Sequence, residues 1–235
     1  MSTSLAAFRN QVSAVPPAVI ARSLSRDAAD FQAGWRQVPT AAAPVLHFAQ
    51  DREIYGEGDE AGTFFKVVSG VVRTCRFLSD GRRQIDAFHV EGDIFGLEPG
   101  GERRLSAEAV SDCSVISYRR RGAEQLGAGH DALSRQMFDY AMSNMVRAQD
   151  HALLLGRKSA VEKVVAFLME WAEHSPRSGT VALAMTRQDI ADYLGLTIET
   201  VSRTLSQLER DAMIELPSAR QIRFKNPAAL RALNA

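Results

Sequence analysis

The rhythm of apolar and polar positions changes twice along this chain. From Leu46 to Tyr118, short apolar runs (FFKVV, VVRTCRFL, QIDAFHV, CSVISY) alternate with closely spaced glycines, among them Gly56, Gly58, Gly62, Gly70, Gly81, Gly92 and Gly96. Runs of that length, rich in Val, Ile and Phe, predict β-strands. Asp80–Gly81 lies between two of them and predicts a hairpin, because glycine tolerates positive φ. Many short strands with regular turns predict a small sandwich or barrel. No glycine here opens a phosphate loop ending in Lys-Ser/Thr, so all read as turn residues.

After Arg119–Arg121 the period lengthens to three or four. Leu133, Met137, Ala141, Met145, Ala148, Ala152 and Leu155 fall on one face of a long helix. Such a stripe needs a partner: the same helix of a second chain is the simplest, and packing on the chain's own barrel is the alternative. SAVEKVVAFLMEWAEHS predicts a second amphipathic helix that buries Val161, Val164, Val165, Leu168 and Trp171, and SPRSGT predicts a loop. Residues 1–45, broken by Pro16, Pro17, Pro39 and Pro44, read as an arm with short helices around Pro17–Leu24 and Ala28–Gln37. The organisation expected is an arm (1–45), a sensor-like β domain (46–130), a dimerisation helix (131–156) and a nucleic-acid-binding domain (157–235), jointed near Gly156–Arg157.

The sharpest local signal is TRQDIADYLGLTIETVSRTLSQLERDAMIEL. Thr186 can cap a helix, with Asp189 completing the cap. Ile190 and Leu194 give that helix an inner side, and Ala191 is small enough for a second helix to cross closely. Gly195 suits the turn, and Thr197 can cap the next helix. There Val201, Leu205 and Leu208 face inward. Two helices joined by a glycine turn make a helix-turn-helix. Glu199, Ser202 and Arg203 share the outward face of the second helix, in the first two turns, the part that enters a major groove. Arg203 can donate a fork to guanine O6 and N7, Glu199 can accept from cytosine N4, and Ser202 suits either kind of edge. The competing reading is a solvated Glu199–Arg203 ion pair. Thr186, Arg187, Thr197 and Thr200 are candidates for phosphate contact. Met213–Leu216 and Gln221–Phe224 predict a hairpin wing whose Arg220, Arg223 and Lys225 suit a phosphate backbone, unless it is a surface hairpin with incidental basic residues.

Composition excludes more than it adds. Of 235 residues, 46% are apolar and 24% charged, which is ordinary for a globular protein. No apolar run reaches the roughly 20 residues of a membrane span, and the first residues lack a signal-peptide pattern, so a cytoplasmic protein with no membrane association is expected. Net charge is zero overall; from Arg157 onward there are 11 Lys/Arg against 9 Asp/Glu, so any phosphate-binding patch must be local. Cys75 and Cys113 lie far apart and read as reduced thiols. With no paired histidines, no metal or cofactor is expected. No nucleophile elbow or phosphate loop is present, which argues against an enzyme.

DYLGLTIETVSRTLSQLE, preceded by LLLGRKSAVEKVVAFL, closely resembles the Crp/Fnr family of bacterial transcription regulators and, within it, the FixK/FnrN branch. SGVVRT…DGRRQIDAFHVEGDIFG resembles that family's barrel. The resemblance spans about residues 46–235. It implies an α+β fold: a cupin-like, cyclic-nucleotide-binding-like jelly roll, a dimerisation helix and a winged helix-turn-helix. It also implies a homodimer on a palindromic promoter site of the type TTGAT-N4-ATCAA, with RNA polymerase as partner, and activation of low-oxygen or nitrogen-fixation genes. The base-reading positions fall on Glu199, Ser202 and Arg203. Cyclic-AMP-type regulators have glycine at Ser202 and arginine at Ile198, which argues against their DNA site. Cyclic-AMP binders also carry a glutamate after the glycine at Gly96 and an Arg-Ser pair. Here Leu97 and Leu105–Ser106 stand there, with Arg104 one place off. Oxygen sensors of the family hold an iron–sulfur cluster on clustered N-terminal cysteines, and residues 1–45 contain none. Some members of the branch carry an oxidisable cysteine before the first helix of the motif, where this chain has Met185–Thr186. The resemblance to the FixK branch, whose members typically have neither ligand, implies control by expression or turnover; the alternative is an unidentified small effector in the barrel.

Overall fold

The computed structural model describes residues 44–119, 131–174 and 179–234. The expected helices of the N-terminal arm lie outside these residues. Eight strands precede the first long helix: β1 Val45–Phe48, β2 Glu53–Tyr55, β3 Thr63–Ser69, β4 Val72–Phe77, β5 Arg83–His89, β6 Ile94–Phe95, β7 Ser106–Ala109 and β8 Cys113–Arg119. They form two antiparallel four-stranded sheets, ordered β1-β8-β3-β6 and β2-β7-β4-β5. The cupin-like barrel is thus a jelly-roll sandwich; the pairing does not run continuously around a closed wall. Gly81 turns the β4–β5 hairpin at φ +84°, and at Gly70 a side chain is impossible, since a Cβ would sit 2.3 Å from the Asp112 carbonyl. Between the sheets, Tyr55, Phe65 and Phe95 stack, with the Phe65 and Phe95 centroids 5.3 Å apart, over Val67, Val72, Ala107 and Val115.

Helix α1 runs from Asp131 to Arg157 and α2 from Ala160 to Glu173, split at Lys158–Ser159. Ser159 breaks the helix by capping the next one: its hydroxyl accepts from the Glu162 N–H and the Glu162 carboxylate accepts from the Ser159 N–H. One edge of α1 packs on the barrel, where the Tyr140 hydroxyl donates to the Ile94 carbonyl at 2.6 Å. Beyond α2 come β9 Thr180–Ala182, α3 Arg187–Leu194, α4 Ile198–Arg210, β10 Ile214–Ser218, β11 Gln221–Phe224 and α5 Pro227–Leu233. The wing is a three-stranded sheet ordered β10-β11-β9, with one strand more than the expected hairpin. The Trp171 indole N–H donates to the Ala182 carbonyl and fastens β9 to α2. No helix among the described residues is long and apolar enough to cross a membrane.

The barrel and the helix-turn-helix share one apolar cluster. Val71, Cys75, Ile85 and Val110 of the β domain join Val164, Val165, Leu168, Ile190, Leu194 and Leu205. Phe88 of β5 lies 5.4–6.3 Å, ring to ring, from Tyr193, Trp171 and Phe167. Beside this cluster is a buried ionic group. Arg73, 7% exposed, donates to Glu108 at 2.7 Å and to Asp189 at 3.2 Å; Arg83 donates to Asp189 and, at 2.8 Å, to Asp192. Burial alone would raise the Asp189 carboxyl, but hydrogen bonds from Thr186 and the charges of Arg73 and Arg83 outweigh it and hold it below the usual carboxylate range. A carboxyl depressed in the folded state contributes stability above its unfolded pKa of about 4, and that stability is lost as pH falls through the lower folded value. Asp189→Asn leaves the buried Arg73 and the half-buried Arg83 each short of a partner and should cost about 3–5 kcal/mol at pH 7. Urea titration checks this: the gap between the variant and the wild-type chain should shrink as pH drops below 4.

Candidate nucleic-acid interface

The two helices of the motif are built by their caps. The Thr186 hydroxyl accepts from the Asp189 N–H at 3.1 Å, while the Asp189 carboxylate accepts from the Thr186 N–H and hydroxyl. The helix stops at Gly195, whose left-handed backbone (φ 61°, ψ 41°) suits a residue without Cβ. Thr197 opens α4 by accepting from the Thr200 N–H at 3.2 Å. Ala191, Val201, Leu205 and Leu208 are fully enclosed where the helices cross. The inward set expected from spacing is therefore the inward set observed.

With that face buried, the opposite face of α4 turns to solvent. Ile198, Glu199 and Arg203 are exposed and Ser202 is half-buried. Neither Glu199 nor Arg203 forms an ion pair with another described residue, so the solvated pair considered from sequence does not form. Both Glu199 and Arg203 lie in the first two turns, and the helix N-terminus beside them has N–H groups with no intrahelical acceptor, a setting that favours phosphate. The hydroxyls of Thr186, Thr197 and Thr200 are already engaged in the caps. Arg187 is half-buried, and its Nε is enclosed without a partner among the described residues. On the wing, Arg220 and Arg223 are exposed; Arg223 and Lys225 share Glu215, at 3.0 and 3.4 Å, so part of the wing's positive charge is neutralised within the chain.

On α1, Ala141, Met145, Ala148 and Ala152 are exposed, with Met145 at 46%. The side chains of Leu133 and Met137 lie outside the described residues. Leu155 is half-buried, and a Cβ added at Gly195 would meet its Cδ2 at 3.5 Å, so it lies beside the turn of its own helix-turn-helix. Phe138, 63% exposed, and Met142, 40% exposed, lie outside the stripe that spacing predicts. Phe138, Ala141, Met145, Ala148 and Ala152 alternate steps of three and four, the pattern of a coiled-coil seam.

Inside the jelly roll, the arginine that turns inward is Arg103. Arg104 is exposed. The Arg103 guanidinium lies 4.1 Å from the Tyr55 ring centroid and donates to the Gly96 and Thr63 carbonyls at 2.8 and 2.6 Å. Its Nε and the Tyr55 hydroxyl are enclosed without hydrogen-bond partners among the described residues. Both cysteines are buried; burial, reinforced by Glu108, pushes the Cys75 thiol up to about 12, and burial raises Cys113 as well. Neither thiol is ionised near neutrality, the state oxidation requires.

Comparison with known proteins agrees with this architecture in both halves. Residues 45–130 match the family model of the cyclic nucleotide-binding domain, and residues 162–233 match that of the Crp-like helix-turn-helix domain. The nitrogen fixation regulation protein FixK of Azorhizobium caulinodans is 45% identical over 216 residues, covering 88% of this chain and 86% of that protein. FixK of Rhizobium meliloti is 42% identical, over 80% and 86%. The solved structure of FixK2 from Bradyrhizobium japonicum superposes with a TM-score of 0.79 at 45% identity, over 83% of this chain and 98% of that one. A jelly roll joined to a capped helix-turn-helix with an open polar face, and this degree of identity along most of its length, place the chain in the Crp/Fnr family of DNA-binding transcription regulators, in its FixK branch, and not among enzymes.

Proposed function

We propose that the protein acts as a homodimer on a palindrome of the type TTGAT-N4-ATCAA and activates genes for low-oxygen respiration or nitrogen fixation together with RNA polymerase. The observation that carries this reading is the polar face of α4: Glu199 and Arg203 open to solvent, with half-buried Ser202 between them, above a fully buried Val201–Leu205–Leu208 side. In this reading Arg203 takes guanine, Glu199 takes a cytosine amino group and Ser202 an adjoining edge. Thr186, Arg187, Thr197, Thr200 and the wing's Arg220 and Arg223 lie along phosphate. The exposed α1 seam from Phe138 to Ala152 joins two chains and sets two reading helices a fixed distance apart. The FixK relatives are nitrogen fixation regulation proteins, which supports nitrogen-fixation genes as targets.

Binding proceeds without cyclic AMP, metal or iron–sulfur cluster in this proposal. Arg103, held by Gly96 and Thr63, supports it, because a seated side chain already satisfies the acceptors at that place in the barrel.

Two measurements test the proposal. Each half-site contains one TTGAT guanine, so Arg203→Ala removes two bidentate contacts from a dimer, about 2–6 kcal/mol of specific binding at roughly 1–3 kcal/mol each. Titration of specific and scrambled duplexes at one salt concentration should show the loss on the specific duplex alone; equal weakening of both would make Arg203 a phosphate contact. For the seam, Met145→Asp places a charge among apolar side chains. Sedimentation should then show monomer, with palindrome affinity falling alongside; an undisturbed dimer would remove α1 from the interface.

A further inference from the structure

Charge is divided between the two domains with a clear direction. The barrel supplies two guanidinium groups, Arg73 on β4 and Arg83 on β5; α3 supplies two carboxylates one turn apart, Asp189 and Asp192. Glu108 of β7 braces both arginines from the barrel side, at 2.7 and 3.6 Å. Gln84 adds an amide hydrogen bond to the Tyr193 carbonyl at 3.2 Å. None of these residues lies on the outward face of α4. They join the barrel to the first helix of the motif, so they leave the second helix free.

The chain link between α1 and the DNA-binding half is short: Lys158 and Ser159 separate two helices. A single covalent link leaves the second body free to swivel, and a second attachment removes that freedom. The Phe88 contacts supply an apolar attachment, but apolar surfaces are not directional and can slide. Forked guanidinium–carboxylate bonds fix direction as well as distance. We infer that the Arg73–Arg83–Asp189–Asp192 cluster is a latch that sets the angle of each reading helix relative to the dimer seam, which makes these barrel arginines specificity-determining for the spacing of DNA half-sites. The inference rests on the proposed roles of the α4 face and the α1 seam. Its consequence is geometric. Two extra base pairs between half-sites turn one relative to the other by about 70° and part them by about 7 Å. A latched dimer cannot follow that change, and an unlatched one can.

The test compares wild-type protein, Arg83→Gln, Arg83→Lys and Asp192→Asn as intact chains. Each is titrated with TTGAT-N4-ATCAA, with TTGAT-N6-ATCAA and with a duplex carrying one half-site. Maleimide labelling of Cys75, read peptide by peptide without DNA, reports opening of the interface, because that thiol lies in the shared cluster. Arg83→Gln and Asp192→Asn should narrow the N4-over-N6 preference by about tenfold, within the range that coupling between two elements carries. They should leave half-site affinity near wild type and speed Cys75 labelling. Arg83→Lys keeps the charge and should recover part of the preference. The latch is refuted if the spacing preference of both uncharged variants stays at wild type, or if half-site affinity falls in the same proportion as palindrome affinity. Should Arg83→Gln fail to fold, Asp192→Asn decides by the same criteria. If wild-type protein does not tell the palindrome from scrambled DNA, the proposed DNA site is wrong; Cys75 labelling then decides the latch alone, unchanged rates in the variants refuting it.

Discussion

A buried guanidinium needs partners for its charge, and at Arg73 that requirement crosses a domain boundary. Arg73 is almost wholly enclosed in the β4 strand of the jelly roll, and one of its partners, Asp189, belongs to the first helix of the DNA-binding motif. Asp189 is committed twice: it closes the Thr186 capping box that starts α3, and it receives Arg73 and Arg83. The same carboxylate therefore starts the helix and docks it. Buried ion pairs add little net stability compared with apolar replacements, and their better-attested use is to select one arrangement among several. The apolar cluster of Phe88, Phe167, Trp171 and Tyr193 makes the two domains cohere, and the charges decide how they sit.

From that constraint the placement of the reading face follows. With α3 held against the barrel and α4 crossing it at Ala191, the apolar side of α4 is used up and its polar side has only solvent to face. The jelly roll thereby becomes a support for the DNA-binding head. Its interior is occupied by Arg103 on the Tyr55 ring, and its two thiols are buried and protonated.

What the sequence made legible was local. Thr186, Gly195 and Thr197 mark helix ends by the chemistry of capping, and Val201, Leu205 and Leu208 mark an inner face by spacing alone. The strands FFKVV, VVRTCRFL, QIDAFHV and CSVISY carried their own composition. What could not be read was pairing over distance. Arg73 and Asp189 stand 116 positions apart, and no periodicity links them. The short strands β1, β2, β6 and β9 have too few residues to show a period, so the third strand of the wing went unseen. On α1, steps of four from Leu133 run through Met137 and miss the exposed Phe138, because a long helix offers two neighbouring apolar registers that spacing alone does not separate. Spacing also places Leu155 in the stripe, whereas its side chain lies beside Gly195 of its own chain.

In the proposed function, contacts within the chain hold the head ready for DNA. The most direct measurement is an affinity titration of purified, metal-stripped protein in air with a TTGAT-N4-ATCAA duplex, against a scrambled duplex at the same salt, with and without cyclic AMP. Held by its own ion pairs, the protein should prefer the palindrome without any addition, and cyclic AMP should leave that preference unchanged. Specific binding that appears only after cyclic AMP is added, or only after an iron–sulfur cluster is reconstituted without oxygen, would contradict the account.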